Sequence, residues 1–148
     1  MRIIGAFLVV GLCLAGAFAC SHPKPPAGHW EGTYESGDTM VVARLEISSS
    51  GTIRVSAPNA QNIADASEDD RATMRQKLAQ DLANGWTDVQ PRELDFDGTT
   101  FRKPGGVAPQ LEWDAANKHM TMIVYFGTRP SIRIPLHAVS EFSDNPWS

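Results

Sequence analysis

Cysteine is nearly absent from this chain. There are two in 148 residues, Cys13 and Cys20, and Cys13 lies inside an apolar leader. A mature chain that keeps only Cys20 can form no internal disulfide, so a disulfide-stapled fold is excluded. A basic cluster is also missing. The 17 acidic residues outnumber the 13 basic ones, for a formal charge of −4. That balance argues against nucleic acid as a partner and against electrostatic docking on anionic lipid. Internal repeats are absent. So are Gly-x-Ser-x-Gly, a phosphate loop, Cys-x-x-Cys and His-Glu-x-x-His, which removes the commonest hydrolase, nucleotide, redox and zinc signatures.

The leader is the most informative stretch that is present. Arg2 is the only charge before Ser21, and Ile3 to Ala19 is apolar or small throughout. A positive start, an apolar middle and a small-residue exit read as a secretory signal over 1–19. The run is Gly-interrupted and falls short of the about 20 apolar residues that a permanent membrane span uses. Ala17-Phe18-Ala19 and Ala15-Gly16-Ala17 are both A-x-A sites suited to ordinary cleavage. Removing the first 19 of 148 residues leaves 129, and Arg2 goes with them, leaving 12 of 13 basic residues against 17 acidic ones, a formal −5. That length suits one domain that buries roughly two-thirds of its unfolded surface.

Ala19-Cys20 resembles the core of the lipobox of bacterial lipoproteins, where a small residue precedes an obligate Cys that is diacylated. Ala17 stands where that family prefers Leu, and Phe18 where it prefers a small residue. The resemblance implies lipidation at Cys20, and Ser21 behind it implies outer-membrane retention facing the periplasm. Ordinary cleavage would instead give a soluble periplasmic or secreted protein. A lone exported thiol wants an explanation, and acylation supplies one. Residues 20–28 continue as a Pro-rich tether, Ser21 to Gly28. Extended at about 3.1 Å per residue, it predicts a domain held roughly 25 Å from its anchor.

The chain from 29 to 140 reads as a single mainly β domain with a C-terminal tail at 141–148. Trp30, Gly32 and Tyr34 alternate with His29, Glu31, Thr33 and Glu35. Val41, Ala43, Leu45 and Ile47 alternate with Arg44 and Glu46, and Ile53 and Val55 with Arg54 and Ser56. One wet face is expected on these strands. The stretch near 65–83 predicts one inserted α-helix, started by Ser67 with Asp70 and carrying a stripe of Met74, Leu78 and Leu82. Strands resume with Leu94 and Phe96, then a two-residue Asp97-Gly98 turn of type I′, then Phe101. Leu111 and Trp113 follow, then Met120 to Phe126 and Ile132 to Ala138. Seven or eight short strands with one-face alternation predict an antiparallel barrel or sandwich.

Gly28-His29-Trp30 is similar to the Gly-x-Trp first strand of lipocalin-like barrels. In that family the Trp closes one end of a barrel that holds a small apolar ligand. On this resemblance, Trp30, Tyr34, Phe96, Phe101, Trp113 and Phe126, all on predicted inward faces, line an apolar cavity; in a smaller barrel they fill the core. His119-Met120-Thr121-Met122 invites a copper reading, but alternation puts His119 opposite the two methionines, which then serve as core. Asp95-Phe96-Asp97-Gly98 lacks the later oxygen ligands of a calcium loop. No metal or other cofactor is expected. The expected function is a non-catalytic envelope lipoprotein that binds a small apolar ligand or lipid. The alternatives are a protein-interaction or envelope-maintenance module (an inhibitor or assembly accessory) and a carboxylate-based hydrolase.

Overall fold

A computed structural model describes residues 22–90, 92–106, 108–125 and 131–148. The leader, Cys20 and Phe126 lie outside the described residues. The elements in order are β1 (Gly28–Ser36), β2 (Thr39–Ile47), β3 (Ile53–Ser56), β4 (Gln61–Asn62), α1 (Glu68–Asn84), β5 (Thr87–Val89), β6 (Asp95–Phe96), β7 (Thr100–Arg102), β8 (Pro109–Asp114), β9 (His119–Val124) and β10 (Ile132–Val139). The fold is mainly β with one helix, as the alternation predicts. Among the described residues there are ten strands, where the pattern predicts seven or eight. The two-residue β4 and the three-residue β5 are too short to leave a period in the sequence.

Nine strands run β5-β3-β2-β1-β10-β9-β8-β7-β6, and β4 pairs beside them on β2. Every pairing is antiparallel, and the sheet curls into a half-barrel. Among the described residues β5 and β6, the two ends of that path, do not pair with each other. β1 and β2 are joined by a two-residue turn in which Gly37 takes a φ of 60°. That turn sets the register, so Glu31 stands opposite Arg44. The Asp97-Gly98 connection corrects the type I′ expectation, since Gly98 alone has positive φ. The Asp97 side chain holds the loop instead, accepting from the backbone N–H and hydroxyl of both Thr99 and Thr100 at 2.7–2.9 Å.

The inner, concave face gathers Trp30, Leu45, Phe101, Met120, Ile134 and Leu136 into the main core. The outer face of β1 and β2 is not the wet face that the pattern predicts. Met40 and Val42 join Ile63, Leu78 and Leu82 in a second core under α1, and Glu31 and Arg44 are buried beside it. The helix therefore packs on the outer wall. It starts as expected: the Asp70 N–H donates to Ser67 Oγ and the Ser67 N–H to Asp70 Oδ2, both at 3.2 Å. Ser56 Oγ donates to the Leu82 carbonyl at 2.7 Å and ties α1 to β3. Residues 141–148 fold back over the same outer face, burying Pro146 and packing Trp147 on the second core.

The Pro-rich segment lies along the domain. Pro25 sits 3.6 Å from where a Gly51 Cβ would be, and Pro23 sits 3.8 Å from the equivalent point at Gly98. It thus bridges the turn before β3 and the loop after β6. Gly32 sits where β1 and β10 leave no room for a side chain, because a Cβ there would overlap the Pro135 carbonyl oxygen. Backbone has to move to admit one. Gly32→Ala is expected to lower stability by about 3 kcal/mol, measured as a shift of the urea midpoint; an unchanged midpoint would show that β1 and β10 do not cross this closely.

Candidate functional site

Five of the six aromatic residues expected inside do meet on the concave face. Trp30 and Trp113 make an edge-on contact with centroids 5.3 Å apart, and Phe96 lies 4.4 Å from Phe101. Tyr34 packs against the same core. Phe126 lies outside the described residues. Trp30 and Phe101 are buried, while Tyr34, Phe96 and Trp113 are half-buried at its margins. Leu45, Phe101, Met120, Ile134 and Leu136 fill the middle, each no more than 2% exposed. Two buried indole N–H groups have no acceptor among the described residues, Trp30 Nε1–H here and Trp147 Nε1–H on the outer face.

A groove of about 860 Å³ lies on the opposite, outer face, between α1 and the C-terminal segment. Its helix side carries Ala79 and Ala83. Its far wall carries Phe142 and Trp147, and Glu35 and Arg75 also line it. Ala72, Gln76 and Gln80 complete the helix side, while the large apolar residues Leu78 and Leu82 face the sheet. Arg44 reaches the groove from its floor.

That floor is built on charge. Arg44 Nε donates to Glu31 Oε2 at 3.2 Å, with the two side chains 7% and 4% exposed. The C-terminal segment completes the pair. Ser143 Oγ donates to Glu31 Oε1 at 2.7 Å, and Arg44 Nη2 donates to the Ser143 carbonyl. Phe142 covers the guanidinium, its ring 5.1 Å from Cζ, and in turn leans on His29 and Trp86. Nearby, Glu35 takes Nε and Nη2 of Arg75 at 2.9 and 2.8 Å and Nη1 of Arg71 at 3.2 Å. Arg71 Nη2 also donates to the Ile63 carbonyl at 3.1 Å, and Arg75 Nη1 to Glu68 at 2.7 Å. The Arg75 hydrogen bonds hold the Glu35 carboxyl below its ordinary range, with Arg71 helping and burial opposing. Glu35 likewise raises Arg75 above the usual guanidinium value.

These acids and bases neutralise one another, and the arrangement is one of fixed shape with satisfied charge. Among the described residues no group of three or more His, Cys, Asp or Glu converges to hold a metal ion. His119 is exposed while Met120 and Met122 are buried on the inner face. No described helix is long and apolar enough to cross a membrane. The chain matches no protein-family model, and neither curated proteins nor solved structures give a match.

Sequence reasoning missed the outer groove. Glu31, Arg44 and Glu35 sit on the face it assigned to water, and Phe142 and Trp147 in what it took for a tail. One signal was available: a two-residue Gly37-Asp38 turn places Glu31 directly opposite Arg44. Two outcomes follow from the Glu31–Arg44 pair and from Glu35 with its two arginines. Arg44→Met alone should cost about 3–5 kcal/mol by leaving Glu31 charged and buried, while adding Glu31→Leu should restore most of it; chemical denaturation of both variants checks this. A carboxyl whose pKa is depressed on folding stabilises above its unfolded value, 4.5 for Glu35, and that contribution is lost as the pH falls through the folded value. Glu35→Gln should therefore lower stability at neutral pH and flatten its decline in acid, read from thermal unfolding across that range.

Proposed function

We propose that this chain is an exported, lipid-anchored and non-catalytic module of the cell envelope that engages a partner protein through the outer groove. The observation that carries the reading is the groove of about 860 Å³ between α1 and the C-terminal segment, held in shape by internally neutralised charges. Paired ions and a helix wall of alanines and glutamines make a pre-formed surface that takes an extended segment with little rearrangement, which keeps the ordering cost of binding low. The lipobox-like Ala19-Cys20 junction supports the anchor, with outer-membrane placement facing the periplasm.

A second reading rests on a different observation. The Trp30 Nε1–H is buried without an acceptor at the edge of a concave aromatic face. An unpaired buried donor is costly, and a ligand carbonyl or ether oxygen would relieve it. On that reading the half-barrel is lipocalin-like and admits a small apolar ligand beside Trp30 and Trp113.

Site-specific photo-crosslinking in the native host separates the two. A crosslinker at Ala83, in the groove, is expected to trap one discrete envelope protein, while one at exposed Thr73, which does not line it, traps none. Equal or absent trapping at both positions defeats the groove reading. Saturable uptake of an apolar dye that quenches with Trp113→Phe supports the inner site instead. Intact mass of the mature protein tests the anchor: acyl mass on a chain beginning at Cys20 is expected, and a bare chain beginning at Phe18 or Cys20 rejects it.

A further inference from the structure

We infer that one end of the half-barrel, bearing the Ser48–Thr52 turn and the Asp97–Gly98 loop, rests directly on a phospholipid surface. The inference rests on the proposed anchor at Cys20 and adds an orientation to it. A flexible tether would leave the domain free to tumble some distance from the bilayer. The segment behind Cys20 is not free. Pro23 packs at Gly98 and Pro25 at Gly51, and His22 to Pro25 border a groove of about 680 Å³ whose other side is formed by residues such as Ile53, Val89, Leu94 and Phe96. Proline restricts the segment further, since its backbone has little entropy left to lose on seating.

The chain length then fixes the geometry. Two peptide links join Cys20 to His22, which spans at most about 7 Å. An acyl anchor at Cys20 would by that reach sit close to this end. The surface there suits lipid headgroups without needing a basic patch. Ser49, Ser50 and Thr52 are exposed hydroxyl residues, and Lys24 is exposed beside them. Two acids stand at this end: exposed Asp95 lines the same groove, and Asp97 is a carboxylate whose oxygens already accept from Thr99 and Thr100, bonds that hold it well below the usual range. The Gly37-Asp38 turn lies at the far end of the nine-residue β1, roughly 26 Å away at about 3.3 Å per residue. One end of the domain is thus presented to the bilayer and the opposite end to the aqueous side.

The test places a nitroxide, through a keto amino acid, at Ser50 or at Ser36. Cys20 of the mature chain is coupled to a maleimide phospholipid in nanodiscs that carry a headgroup-chelated paramagnetic ion. This supplies the anchor whether or not the host does, so a bare mass from the host would defeat the anchor reading while leaving the docking geometry to be judged separately. Relaxation by the ion is expected to be several-fold stronger at Ser50 than at Ser36. Replacing both Pro23 and Pro25 by Gly should release the segment and bring the ratio towards unity. Equal relaxation at the two sites with the native segment, or a ratio untouched by the double substitution, overturns the inference.

Discussion

A buried ion pair, Glu31 with Arg44, governs the architecture of this protein. Two opposite charges removed from water are tolerated only when their remaining hydrogen-bonding capacity is met. Here that capacity is met by Ser143, almost a full chain length away, and the guanidinium face is met by Phe142. The C-terminal segment must therefore return to the outer face of β1 and β2. Once it is there, with α1 beside it, β2 is buried on both sides, and its run of buried residues from Met40 to Arg44 and Leu45 makes sense as a central strand. The groove between segment and helix is a by-product of that arrangement: each side is held by its own polar bonds, and the space between them is left open.

The helix is fastened by the same kind of interaction at lower burial. Glu35 gathers Arg71 and Arg75 from successive turns, and Arg71 continues to the Ile63 carbonyl. Partly exposed pairs of this sort contribute little singly. Their role is geometric: they fix the helix in rotation, so that Leu78 and Leu82 meet Met40 and Val42 and the alanines are left facing outward. Sheet and helix are thus registered by charge on one face and by apolar packing on the other.

Much of this was legible in the residues. Alternation located the main strands, and the inner aromatic set from Trp30 to Trp113 came out on one face because a period of two is local and robust. The Ser67–Asp70 cap marked the helix start. Three things were hidden, each for a physical reason. Two short strands, β4 and β5, are fixed by neighbours and carry no alternation of their own. A charge on a strand reads as solvent-facing unless its partner is known, so Glu31 and Arg44 looked wet. Residues 141–148 carry no periodicity at all, yet Phe142 and Trp147 hold the outer layer. The groove was invisible because it is made by contacts between residues distant in the chain.

That separation has a consequence for how the molecule comes into being. Ser143 lies 112 residues after Glu31 and 99 after Arg44. A chain made from its N-terminus presents both charges long before their cover exists. Until Ser143 has joined them, the sheet carries a half-satisfied pair at its centre and gains little from closing around it. Contacts of such long range also delay the folding transition state. Burial of the pair and docking of the segment that covers it are thus one event in the folding of the chain.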